Sequence, residues 1–154
     1  ARRFFPVFVH SRRPLAQDFE LAITGRQFWA GPLWVALGRS DADNKALAAR
    51  VRPGDLTLDL RDFPSPLALL RSLDDAAWTD AALADACALA ASFSPKALAA
   101  KGPVVVLASK DGQTREFTVT PARQTATGFA EPTWETLLAG KQALFGQEDT
   151  LDDH

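Results

Sequence analysis

Between Gly38 and Leu60 the chain reads GRSDADNKALAARVRPGDLTLDL, and Arg61 follows directly. Arg39, Arg50, Arg52 and Arg61 therefore fall around one short stretch. Guanidinium groups at this density can neutralise phosphates, each offering a planar fork of N–H donors to two oxygens. Taken singly, each arginine also fits a solvated side chain whose stem covers apolar surface. Only their clustering makes phosphate contact the sharper reading. Arg50 has a sufficient structural reason of its own, since a cation in the last turn of a helix is favoured by the macrodipole by roughly 0.3–1 kcal/mol. Arg52 lies beyond that turn, just before Pro53, and is expected to be free to join Arg39 and Arg61 if the elements fold back on one another.

The remaining inventory holds little chemistry. His10 stands in a strand-like stretch and His154 at the chain end, and neither has a partner by spacing. No Gly-rich phosphate loop, Gly-x-Ser-x-Gly elbow, His-x-x-x-His pair or twin-carboxylate pattern occurs. Cys87 falls mid-helix on an apolar face and reads as a small core residue, with nothing nearby to lower its pKa. Asp59 and Asp62 flank a strand end and read as solvated; Asp74-Asp75 reads as a turn. No catalytic residue, metal site or cofactor is expected, so the chain by itself is not expected to be an enzyme.

The elements that must position the arginines follow from patterning. Phe4–Val9 and Phe19–Thr24 read as short strands with SRRPLAQD as a loop between them, and Gly31–Gly38 as a buried strand. Ser40 suits a helix N-cap, with Asp43 three residues on to complete a capping box. That helix carries Lys45, presents Leu47 and Val51 as its buried stripe, and stops at Pro53-Gly54. LTLDL alternates, placing Leu56, Leu58 and Leu60 on one face. LALLRS resumes the strand pattern after Pro64 and Pro66. Thr79 caps an alanine-rich helix with Leu83, Cys87 and Ala90 or Ala91 inward, and Pro95 ends it or opens a short second helix. Val104–Ser109 and Arg115–Thr120 are strands joined by a hairpin with Asp111-Gly112 at its turn. An amphipathic helix is expected from Thr133 to Phe145, anchored by Trp134, Leu137, Leu138 and Leu144, before an acidic disordered tail over 147–154.

The 154 residues suit one domain, with 47% hydrophobic residues, ten Phe and four Trp to build a core. The reading is an α+β domain over 1–146, mainly antiparallel sheet with two or three helices packed against it. One cysteine excludes a disulfide framework, and no apolar run is long enough to span a bilayer. A cytoplasmic location follows. A chain opening Ala1-Arg2-Arg3 with no methionine is expected to be a domain of a longer polypeptide, the alternative being removal of an initiator methionine before Ala1. Net charge is −2 and unevenly spread: residues 1–61 hold ten Lys or Arg against six acids, and 62–154 seven against thirteen. The balance as a whole argues against a strong polyanion binder, while the asymmetry fits a small basic face beside an acidic region.

From Gly38 to about Ser109 the chain resembles the RNA-binding (NFACT-R) domain of the NFACT family, found at the C-terminal side of fibronectin-binding-protein-A-like proteins of ribosome quality control. The residues carrying the resemblance are Gly38, Arg39, Asn44 and Leu47, then Asp55, Leu56, Arg61, Asp62 and Pro64. The alanine-rich stretch Ala86–Ala91 with Ser94 and Lys96, and the strand Val104–Val106, complete it. The family's aromatic and histidine positions are Thr57, Asp59 and Leu67 here, its Pro-Gly-Ser-His glycine is Ser65, and its long basic loop has shrunk to Lys110–Gln113. The resemblance implies an RNA-binding accessory domain, for tRNA or rRNA, with contacts from Arg39, Arg50, Arg52, Arg61, Lys45 and Lys96. The parent protein would be a tRNA thiouridine-modification protein or a ribosome quality control factor. Loss of the basic loop and the negative net charge leave a second reading open: a protein-interaction domain that has lost RNA binding and docks a partner protein or another domain of its own polypeptide. A membrane partner is not expected.

Overall fold

The computed structural model of the protein describes residues 2–133. The expected helix beyond Thr133 and the tail over 147–154 lie outside the described residues. Six strands form one antiparallel sheet in the order β1-β2-β4-β3-β5-β6. They are β1 (Arg26–Ala30), β2 (Leu33–Leu37), β3 (Leu56–Leu60), β4 (Ala68–Ser72), β5 (Val104–Lys110) and β6 (Gln113–Val119). The helices are α1 (Phe5–His10), α2 (Ala16–Ala22), α3 (Asp41–Arg50), α4 (Asp80–Ala91) and α5 (Pro95–Ala99). The expected α+β architecture on an antiparallel sheet is therefore present, with helices on both faces.

Side-chain alternation along the strands builds two separate cores. Val35, Leu37, Leu56, Leu58, Leu60 and Leu70 point to one face and meet Leu83, Cys87 and Ala90 of α4. Trp29, Trp34, Ala36 and Leu69 point to the other face, where Val7 of α1, Leu21 of α2 and Leu47 of α3 cover them. Cys87 is buried, and burial pushes its thiol up to about 12. At pH 8 native Cys87 should thus resist iodoacetamide, reacting only after denaturation; rapid labelling of the folded protein would overturn the core placement. The unfolded thiol ionises near pH 9 and the folded one near 12, so its contribution to stability is complete below pH 9 and is lost as pH rises toward 12.

Two segments read as strands are helices. Phe4–Val9 becomes α1 because Pro6 occupies the first turn, where its fixed φ and missing N–H suit a helix start. Phe19–Thr24 belongs largely to α2, which begins where the Asp18 carboxylate accepts the N–H of Leu15 (3.0 Å). Apolar alternation over six residues does not separate a strand from a buried helical turn. Conversely, Arg26–Ala30, unassigned from sequence, is β1. It pairs with β2 across a turn at Gly31, whose φ of 55° lies in the left-handed region that glycine enters without steric cost.

The segment around α3 follows the sequence closely. Ser40 Oγ accepts the N–H of Asp43 (3.2 Å). Asp43 reaches back one residue further than a capping box requires and accepts the N–H of Arg39 (2.9 Å). That hydrogen bond and the Arg39 guanidinium hold the Asp43 carboxyl below its usual range. Val51, expected on the buried stripe, is instead 42% exposed at an extended C-cap. The helix ends at Arg50, whose carbonyl accepts from the side chain of Arg71 (3.0 Å).

Arg71 sits on β4 and is buried. Its five N–H donors all find acceptors. Nε and Nη2 fork onto Asp55 (3.1 and 2.8 Å), Nη1 reaches Asp18 and the Gln17 carbonyl (both 3.3 Å), and Nη2 also meets Arg50. The group thereby ties α2, the end of α3 and the start of β3 to the sheet. Behind it runs a column of rings: Arg71 lies 5.9 Å from Trp34, which stacks on Trp29 at 4.4 Å, which stacks on His10 at 5.6 Å. Burial lowers the pKa of His10, with Asp74 opposing.

The Gly38, Asn44 motif has a structural purpose. Asn44 Oδ1 lies against Gly38 Cα and accepts the N–H of Leu67 (3.1 Å), while the N–H of Gly38 donates to the Leu67 carbonyl (3.0 Å). The helix thus clips the β3–β4 loop to the end of β2.

Candidate nucleic-acid interface

The structure separates the six cations singled out from sequence. Arg50 donates from Nε to Thr24 Oγ1 (2.9 Å) and lies 3.7 Å from Glu20. Arg52, expected to be free, is drawn to Asp18 (3.0 Å). Asp18 is buried, and a buried carboxylate leaves water only where cations compensate it, which here are Arg71 and Arg52 together. Arg61 pairs with Asp62 and stands 3.7 Å from Glu116. Arg39, Arg52 and Arg61 are thus each held by a different carboxylate, Asp43, Asp18 and Asp62. Lys45 and Lys96 are exposed, Lys96 directly following Pro95 at the start of α5.

Arg39 keeps different company. It borders a cleft of about 400 Å³ shared with Arg2, Arg3, Arg26, Gln27 and Glu131. It also borders a shallower groove of about 280 Å³ that includes Ser40, Ser65, Phe93 and Pro95. Arg39 lines both depressions, and the groove is also lined by Phe93. Arg26 Cζ lies 5.3 Å from its ring centroid and Arg123 Cζ only 3.6 Å, both at distances where a cation is drawn to the ring. Arg123 is further held by Ser92, through Nε to Oγ (2.8 Å) and Nη2 to the carbonyl (3.3 Å).

Pairing divides the arginines sharply. Arg39, Arg50, Arg52, Arg61, Arg71 and Arg115 have carboxylate partners within 4 Å. Among the described residues Arg2, Arg3, Arg12, Arg13, Arg26 and Arg123 have none; Arg2, Arg3 and Arg26 share the cleft with Arg39, and Arg123 lies on Phe93 of the adjoining groove. Arg3 donates to the carbonyls of Ala22 and Gly25 (both 3.0 Å), which fixes one wall of the cleft. Gln27 is fully engaged as well, accepting from Trp34 Nε1 and donating to Leu21 and Thr24. The face can therefore present several uncompensated guanidinium groups, one half-buried ring and the start of α3. That combination suits phosphates and flat π-systems.

Sequence reasoning missed Arg2, Arg3, Arg26, Arg123 and Phe93. One signal was available. The register of the β1–β2 hairpin sets Arg26 opposite Leu37, two residues from Arg39, so recognising Gly31-Pro32 as its turn brings the two arginines together. No local signal brings Arg123 to Phe93. Among the described residues no cluster of His, Cys, Asp or Glu could hold a metal ion, and no helix is long and apolar enough to cross a membrane.

The class these features define is an α+β domain with helices on both faces of a six-stranded antiparallel sheet and one arginine-rich end. No protein-family model matches the chain, and no curated protein matches it. Among solved structures the fold is similar to the C-terminal of the fibronectin/fibrinogen-binding protein from Streptococcus suis, with a TM-score of 0.52 and 19% identity. The match covers 64% of this chain and 46% of that one, so this chain corresponds to less than half of that structure. Likeness to the C-terminal part of a fibronectin-binding protein is what the sequence resemblance implies for the fold.

Proposed function

We propose that the chain is an RNA-binding accessory domain of a larger, cytoplasmic RNA-handling protein, in its most concrete version one directed at tRNA and attached to a modification or ribosome quality control protein. One observation carries the reading: four of the six arginines left without carboxylates among the described residues, Arg2, Arg3, Arg26 and Arg123, gather around Arg39 and Phe93. Phosphate contacts supply most non-specific RNA affinity and leave a signature in salt dependence, about 0.7–0.9 of slope in log K against log salt per phosphate neutralised. Changing Arg2, Arg26, Arg39 and Arg123 together to Gln should weaken tRNA binding at low salt and flatten that slope by roughly 3. The melting temperature should change little, since three of the four lack any ion pair. Arg52→Gln should do the reverse, lowering stability through Asp18 while leaving the slope in place. An unchanged slope in the quadruple variant would refute the reading.

The protein-docking alternative has its own support. Phe8, Leu15 and Ile23, on or beside α1 and α2, are each more than half exposed. The structural neighbour, moreover, is described as binding fibronectin and fibrinogen. Failure of the salt titration would bring that reading forward.

A further inference from the structure

We infer that Arg123 and Phe93 form a stacking platform for an unpaired base, so that the RNA held at this face is single-stranded there; this rests on the RNA-binding reading above. The guanidinium of Arg123 lies over the Phe93 ring, and Ser92 grips it at two of its nitrogens. Its plane is thus fixed on one side by the ring and along its edge by hydrogen bonds. The residue is nonetheless exposed, and Nη1 has no partner among the described residues. Closing the end of α4 accounts for the bond to the Ser92 carbonyl, because a cation there satisfies a free C-terminal acceptor. It leaves the outer face of a flat, immobilised cation open.

Arginine planes and aromatic rings are the surfaces on which unstacked bases settle in RNA complexes. Arg26 reaches the same ring from strand β1, and Arg39 lies across the adjoining groove. A nucleotide whose base lies on Arg123 would have these two cations nearby for its flanking phosphates. An A-form duplex cannot use the platform along its length, since its bases are stacked inside and it presents phosphates, 2′-hydroxyls and base edges but no base face. Salt-dependent attraction would draw both forms to the face. Only the single strand gains the stack.

The test uses fluorescence anisotropy with the full chain and three labelled probes of about twelve nucleotides, a span near that of known single-strand sites. They are a single-stranded RNA, the same strand with abasic positions, and a blunt duplex. The single strand should bind about ten-fold tighter than the other two, as expected for at least one base stacked on a side chain. Arg123→Lys keeps the charge but loses the plane, and should bring the single strand down to the level of the abasic one with an unchanged salt slope. Because Arg123 is on the surface this variant will fold, and the wild-type comparison with the abasic probe needs no variant at all. Abasic or duplex RNA binding within about two-fold of the single strand would overturn the platform while leaving RNA binding in place. Absence of salt-dependent binding by all three probes would remove both the platform and the reading beneath it.

Discussion

Arg71→Met should cost on the order of 3–5 kcal/mol, the range found when one partner of a buried charge pair is removed. For a domain of this size that lowers the melting temperature by roughly 10 °C. The size of the effect comes from what remains behind. Asp55 and Asp18 are both buried and both lose a partner, and the carbonyls of Gln17 and Arg50 lose donors. Arg52 can still compensate Asp18, but among the described residues its backbone N–H is the only other group bonded to Asp55. Methionine fills similar volume, so packing alone predicts a much smaller loss. Arg71→Lys keeps the charge yet cannot reach the same acceptors, and should recover only part of the stability. A melting temperature within about 2 °C of wild type for Arg71→Met would show that this network contributes little to holding α2 on the sheet.

A second large effect is expected at Gly38. A Cβ added there would collide with Asn44 Oδ1, the atom that accepts the Leu67 N–H. Gly38→Ala must therefore displace Asn44 and leave that N–H unpaired, at a cost of about 1–3 kcal/mol. The φ of Gly38 is not in the left-handed region, so the backbone itself accepts alanine. The two positions should consequently couple: once Asn44→Ala has removed the obstacle, adding Gly38→Ala should cost almost nothing. Denaturant midpoints for the four proteins of the cycle measure this directly. Additive losses would place the strain in the backbone and refute the side-chain account.

The segments legible in the sequence are those whose reasons are local. Ser40 and Thr79 cap their helices through their own hydroxyls, LTLDL alternates into one core, and Asp111-Gly112 makes a turn with both residues at positive φ. The helices α1 and α2 were illegible because their determinants are not of this kind. Asp18 looks like a loop residue, yet it starts α2 and then serves Arg71 and Arg52 from more than thirty positions away. The candidate face divides in the same way. Arg39 could be found from its motif, and Arg26 from the hairpin register. That Arg50 and Arg52 are neutralised while Arg2 and Arg123 are not depends on where the carboxylates fall after folding, which no spacing encodes. The Gly38 and Asn44 of the family-like pattern serve the fold, which is why the resemblance foretells architecture more directly than ligand contact.

The sheet has a further consequence for how the molecule comes apart. It separates the two apolar clusters, so that among the described residues the layer of α1, α2 and α3 and the layer of α4 pack on opposite faces of the strands. The first layer is fastened by the smaller apolar cluster together with the charged hydrogen bonds of Arg71, the second by the larger cluster against α4. Openings that release the first layer therefore need not disturb the second, and amide protons of α1 and α2 belong to a less protected cooperative unit than those of β3, β5 and α4. The arginine-rich face lies along the border between these units. Arg2 and Arg3 come from the looser one and Arg123 from a segment packed on the tighter one, so a polyanion spanning both would draw the two units into a single one.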